Sequence, residues 1–162
     1  MERRALIAAA LAGLLGFSWP CVAGPSQGAG DSGRVVSARP VVLEIEPGTD
    51  LEPKFSDPNR VRTILKLVED VYYGRPLQYP KDGTVFSNKE GRLPAKPKGY
   101  YKEYTVMPPK GSPSEITVGD RVFRIAPANG TRGVERIIIG GGSLAYYTPD
   151  HYKTFIPLVI LR

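Results

Sequence analysis

At 162 residues the chain has room for one domain of ordinary size plus extras. Its single cysteine, Cys21, excludes an intrachain disulfide, and it falls in a segment expected to be removed, so thiolate chemistry is excluded from the mature chain as well. Lys and Arg (22) outnumber Asp and Glu (16), a net charge of +6 that suits a polyanion partner and plain solubility about equally.

The N-terminus reads as a secretory signal rather than as fold. Met1-Glu2-Arg3-Arg4 is a short charged start, Ala5 to Phe17 is an uncharged apolar run of thirteen, and Pro20-Cys21-Val22-Ala23 supplies a breaker and small residues. The apolar run is short for a membrane span, the competing reading. Cleavage is expected after Ala23; it would remove two arginines and one glutamate, taking the net charge from +6 to +5. Residues 24–40, rich in Gly, Ser and Pro, predict a flexible leader. Val41 to Ile45 predicts a short first strand or an extended segment on the core, ended by Pro47-Gly48.

Asp57-Pro58 opens the strongest helix signal, a capping carboxylate followed by proline at the first helical position. Val61, Ile64, Leu65, Val68 and Val71 recur at helical spacing, with Arg60, Arg62, Lys66 and Glu69 expected mostly on the outer side, and Gly74 and Pro76 end the run. One apolar face of this length predicts packing against a sheet. A turn follows over Tyr79 to Gly83, then a short strand Thr84-Val85-Phe86, a polar loop Ser87 to Gly91 and a proline-rich connector over Leu93 to Gly99.

Gly99 to Val106 predicts a central strand, with Tyr101, Glu103 and Thr105 on one face and Tyr100, Lys102, Tyr104 and Val106 on the other. A lone acid there either meets water or has a cationic partner. Ile116 to Ile125 flank Gly119-Asp120 as a hairpin within residues 110–129. Thr131 to Ile139 predicts a loop entering a buried strand, broken by Gly140-Gly141-Gly142. Leu144 to Tyr147 predicts a strand, Thr148-Pro149-Asp150 a turn, His151 to Phe155 another strand, and Ile156 to Leu161 the element that closes the core. One helix followed by antiparallel strands is an α+β pattern, with the helix on one face of a twisted sheet and the other face free for a site.

Three stretches carry chemistry: Tyr100 to Val106 around Glu103, Arg132-Gly133-Val134-Glu135-Arg136, and Asp150-His151-Tyr152-Lys153-Thr154-Phe155. Arg132 and Arg136 are four apart, so an extended segment puts both on one side, and guanidiniums suit phosphate oxygens. They are also expected to keep Glu103 ionised, while carboxylate and phosphate nearby favour protonated His151 and a bell-shaped dependence of rate on pH. The bland alternatives are a cross-sheet ion pair for Glu103, a surface histidine and a solvated Arg132.

In this order, and with the helix and the Asp82 to Glu90 segment, the stretches resemble the family of small secreted bacterial guanyl-preferring ribonucleases, the barnase and ribonuclease Sa type, and most of all its Sa branch. The resemblance covers about residues 41–155. It implies the microbial ribonuclease α+β fold over residues 41–162 and cleavage of single-stranded RNA through a 2′,3′-cyclic phosphate without metal or cofactor. Glu103 matches the family's general base, His151 its general acid, and Arg132 and Arg136 its phosphate-holding residues. Glu90 matches the guanine-binding glutamate, Phe86 the ring beside the base, and the backbone of Ser87, Asn88 and Lys89 the groups that meet O6 and N7. Tyr152 would touch phosphate or base. The resemblance further implies a monomer free of the membrane once processed, and a barstar-like inhibitor protein as partner.

Ser87 and Lys89 stand where close members carry glutamine and arginine. The disulfide common in Sa-type members is impossible here. Residues 110–129 exceed the corresponding connection, and are expected to project as decoration or to extend the RNA groove with Arg121 and Arg124. A non-catalytic basic binding module and a tyrosine-rich interaction protein are the competing functions.

Overall fold

The computed structural model describes residues 44–127 and 132–162. The expected signal, the leader, most of Val41 to Ile45 and the end of the 110–129 segment lie outside the described residues. Among the described residues, no helix is long and apolar enough to cross a membrane.

In chain order the elements are β1 (Asp50–Glu52), α1 (Pro58–Tyr72), β2 (Thr84–Val85), β3 (Tyr101–Thr105), β4 (Glu115–Val118), β5 (Arg121–Arg124), β6 (Arg136–Gly140), β7 (Leu144–Thr148) and β8 (Ile156–Leu161). Six strands form one antiparallel sheet in the order β1-β8-β7-β6-β3-β2, and β4 and β5 pair separately. The fold is α+β, with one helix on a largely sequential antiparallel sheet. The first strand is Asp50–Glu52 rather than Val41 to Ile45. Its residues have little intrinsic β-preference, and pairing with β8 fixes them, whereas Ile45 only packs on the core as an irregular segment.

α1 begins as its sequence dictates. The Asp57 carboxylate accepts from Asn59 N at 2.9 Å, and Pro58 occupies the first turn. Ile64 and Val68 are fully buried and share one core cluster with Ile137, Ile139, Tyr147 and Leu158 of the sheet. Arg60, expected on the outer side, is buried. Its Nη1 donates to Asp57 at 2.6 Å, and its Nε and Nη2 donate to Glu135 at 2.9 and 3.1 Å, while Tyr147 Oη also donates to Glu135. A guanidinium with both carboxylates in reach is affordable where an unpaired one is not, and helical spacing alone does not report partners 75 residues away.

β3 is not central. It lies second from the edge, shielded by only the two residues of β2. The buried middle is β6, whose Ile137 and Ile139 join the helix-side core and whose Ile138 joins a second cluster with Leu93 and Tyr101 on the opposite face. A strand apolar on both faces explains the unbroken Ile137-Ile138-Ile139 run.

The hairpin forms with Gly119-Asp120 at its turn, and it is more than decoration. Ile116, Val118 and Ile125 are buried in the main core, and Phe55 bridges to Val118. Arg121 lies over the Phe123 ring and Arg124 faces Glu115 at 3.4 Å, and both arginines remain exposed.

Candidate active site

Antiparallel register puts Glu103 of β3 opposite Ile138 of β6, which is opposite Tyr146 of β7; the next row is Thr105, Arg136 and Thr148. Partners in register point to the same side. Glu103 and Arg136 therefore share the face turned away from α1, as expected from the alternation along β3.

Arg132 reaches the same place by another route. It sits in an irregular loop with Gly133 at φ 56, so the extended-segment argument for its side does not describe this backbone. Its Nε donates to Thr105 Oγ1 at 2.9 Å, and its Nη2 lies 3.2 Å from Asp82 Oδ1 and 3.7 Å from Glu103 Oε1. Asp82 also accepts from Thr105 N at 2.8 Å and from Thr105 Oγ1 at 2.7 Å, with its side chain 2% exposed. Asp82 and Thr105 thus form the bracket for Arg132. Sequence reasoning saw Asp82 only as a turn residue, and nothing local marks a partner 50 positions away.

Arg136 is 4% exposed. Its Nη1 donates to the carbonyls of Arg132, Gly133 and Glu135 at 3.2, 3.0 and 2.7 Å, which shapes the loop around the guanidinium. Its Nε is buried with no partner among the described residues. The guanidinium is thus enclosed, and its charge acts on this face of the sheet without a carboxylate bonded to it among the described residues.

The segment His151 to Phe155, expected as a strand, is a tight loop. Asp150 Oδ1 accepts from Lys153 N at 3.1 Å and Thr154 N at 2.8 Å, and Thr148 Oγ1 accepts from Tyr152 N at 2.8 Å. These carboxylate and hydroxyl acceptors take the donors that a ladder would use. His151 and Tyr152 adopt φ of 56 and 71, the left-handed region that side chains with Cβ disfavour by about 1–2 kcal/mol per residue. His151 N donates to Val134 O at 3.2 Å, fixing the exposed histidine beside the Arg132–Arg136 loop.

Tyr152 joins the parts. Its hydroxyl donates to Glu103 Oε2 at 2.7 Å, and its ring lies 4.7 Å from the His151 ring and 5.2 Å from the Phe86 ring. Burial, and then the bond to Glu103, push its hydroxyl up to about 12, with Arg136 pulling the other way. It is therefore a neutral donor at any ordinary pH.

Phe86, Ser87, Asn88, Lys89 and Glu90 line a separate cavity of about 120 Å³ with Arg92, Tyr152 and Phe155. Its aromatic wall is Phe86 against Tyr152 and Phe155, the latter 5.7 Å away. Asn88, at φ 47, closes the loop by donating to Leu93 O at 2.7 Å and accepting from Leu93 N at 3.0 Å. Glu90 stays at the rim, held by Arg92 Nε at 2.6 Å. The structure brings Glu103, Arg132 and Arg136 together beside the Tyr152 hydroxyl, gathers Phe86 to Glu90 around a cavity that Tyr152 also lines, and ties the exposed His151 to both through its backbone bond to Val134 and its ring beside Tyr152. The sequence reading did not single out Asp82 or Arg92.

A ribonuclease family model matches residues 58–158, well over half of the chain. Guanyl-specific ribonuclease St of Saccharopolyspora erythraea is 38% identical over 106 residues, covering 65% of this chain and 78% of the relative. Guanyl-specific ribonuclease Sa3 of Kitasatospora aureofaciens is 41% identical over 99 residues, 60% of this chain and 55% of that one. A solved structure of ribonuclease Sa2 with mononucleotides is similar at 32% identity and a TM-score of 0.45, over 59% of this chain and 81% of that one. The chain belongs to the ribonuclease family, among the guanyl-specific bacterial enzymes of the Sa type.

Proposed function

We propose that the protein is an endoribonuclease that cleaves single-stranded RNA on the 3′ side of guanosine by transesterification. The family membership supports the reaction and its base preference; the geometry supports the assignment of roles. The observation that supports the assignment best is that Glu103 and Arg136 share one face of the sheet, with Arg132 Nη2 3.7 Å from Glu103 Oε1.

A phosphodiester seated against Arg132 and Arg136 has Glu103 on one side. Glu103 takes the proton of the 2′-hydroxyl as that oxygen attacks phosphorus. His151 gives a proton to the departing 5′-oxygen, which leaves a 2′,3′-cyclic phosphate. Hydrolysis then runs the roles in reverse: His151 takes a proton from water, and Glu103 returns one to the 2′-oxygen. The guanidiniums meet the charge that grows on the phosphoryl oxygens in both steps. Guanine enters the aromatic slot, where stacking supplies about 1–3 kcal/mol. The Glu90 carboxylate accepts from its N1–H and N2 amino group, a pair of adjacent donors that adenine, cytosine and uracil do not offer.

The test is the cleavage of GpU and of single-stranded RNA in EDTA, with detection of the cyclic product. Glu103→Gln and His151→Gln each lose about 10²–10⁴ in turnover while remaining folded. Full turnover in either variant overturns the assignment, and intact RNA with the parent protein leaves a non-catalytic binding module in its place. Glu90→Gln lowers cleavage of GpU more than that of ApU; an equal loss on both removes Glu90 as the reader of guanine.

The proposal extends to the chain's surroundings. Export directed by residues 1–23 is tested by the mass of protein recovered outside the cell, with a processed, monomeric, membrane-free chain starting near Gly24 as the expected result. An acidic barstar-like inhibitor over the cationic pocket is tested by capture from the producing cell's cytosol with the His151→Gln variant.

A further inference from the structure

We propose that Arg92 is a positioning residue for guanine recognition: it holds the Glu90 carboxylate at the aromatic slot and staples the recognition loop to the loop that carries His151. The inference rests on the guanine reading of the slot. Arg92 Nε donates to Glu90 Oε2 at 2.6 Å, and Arg92 Nη1 donates to the backbone carbonyl of Lys153, 61 residues further on. Arg92 itself lines the cavity together with Glu90, Tyr152 and Phe155.

The energetics say what this arrangement is for. Glu90 and Arg92 side chains are 69% and 45% exposed, so their attraction adds little to the stability of the fold. What the pair fixes is direction. A carboxylate at the rim, free to rotate, would present its oxygens to guanine only part of the time, whereas the planar guanidinium holds it while its second arm is fixed elsewhere. One oxygen takes the Nε bond, and because a carboxylate has about four acceptor positions, both oxygens keep capacity for the two donors of guanine.

Both ends of the staple are themselves anchored. Beside Arg92, Leu93 is buried and bonded through its backbone to the Asn88 side chain at 2.7 and 3.0 Å. At the other end, Lys153 N is held by Asp150. The carbonyl that Arg92 grips lies two residues after His151.

The experiment compares kcat/KM for GpU and ApU in the parent, Arg92→Gln and Arg92→Lys, together with inhibition by guanosine 3′-monophosphate and by inorganic phosphate. Arg92→Gln lowers the guanine-to-adenine ratio about tenfold, the order expected for loss of one charge-assisted hydrogen bond. It weakens inhibition by the nucleotide but not by phosphate. Arg92→Lys is intermediate, since one ammonium cannot reproduce the two-armed fork. An unchanged ratio in a parent-like fold overturns the inference while leaving the guanine reading intact, and so does an equal loss on both dinucleotides. A parent protein that does not favour GpU overturns the guanine reading, and this inference with it.

Discussion

The Asp82 carboxylate is the part of the site whose removal has the most calculable result. It accepts from Thr105 N, from Thr105 Oγ1 and from Arg132, and its side chain is 2% exposed. Asp82→Ala leaves the two Thr105 donors without this acceptor in a place where Thr105 is 5% exposed. Each buried donor left open costs about 1–3 kcal/mol, so the expected loss is about 2–6 kcal/mol. Arg132 is 20% exposed and can recover a hydrogen bond from water, so its share is small. Asp82→Asn keeps an oxygen for Thr105 but removes the charge facing Arg132, with an expected loss of about 1–2 kcal/mol. Urea unfolding of the parent and both variants measures this, provided the slopes agree so that midpoints report stability. The two variants also separate fold from function: Asp82→Asn raises KM for RNA more than it lowers stability, because Arg132 keeps Thr105 and Glu103 as partners but loses its third hold. An Asp82→Ala protein within about 0.5 kcal/mol of the parent, the scatter of ordinary surface substitutions, would refute the bracket.

Alkaline stability follows from the tyrosines. Tyr152 is raised to about 12, and Tyr147, mainly through burial and then through Glu135, is raised further. Their ordinary value is about 10, so above it the unfolded chain releases protons that the folded chain retains. Stability contributed by these phenols is complete below about pH 10 and is lost as pH rises through the folded values; urea midpoints that stay level from neutral pH to pH 11 would contradict it. At the hairpin, Ile116→Ala removes a side chain 1% exposed in the main core and is expected to cost about 2–5 kcal/mol. A near-neutral result by thermal or urea unfolding would return β4 and β5 to the status of appendage.

Local signals carried much of this architecture. Asp57-Pro58 set the start of α1, alternation set the two faces of β3, and Gly119-Asp120 set the hairpin turn, because each depends on residues a few positions apart. The failures share a different cause. Arg60 was placed outside by helical spacing, but its partner Glu135 comes from the other end of the chain. Asp82 was a turn residue until Arg132 folded onto it. The stretch from His151 to Phe155 has the composition of a strand, and Asp150 overrides that composition by capturing its N–H groups. The grouping of Glu103 with Arg132 and Arg136 is legible as a set of residue types. The struts behind it are not, because a strut is defined by what it reaches rather than by its neighbours in sequence.

β3 gives Glu103 and Thr105 to the reacting face and Tyr104 to the core, and its pairing with β6 decides which is which. Slippage by a single position would turn Glu103 inward among aliphatic side chains and lift Tyr104 out of the core. Such a misaligned chain could neither bury its interior nor cut RNA. The register that buries Tyr104 is thus the same register that presents Glu103.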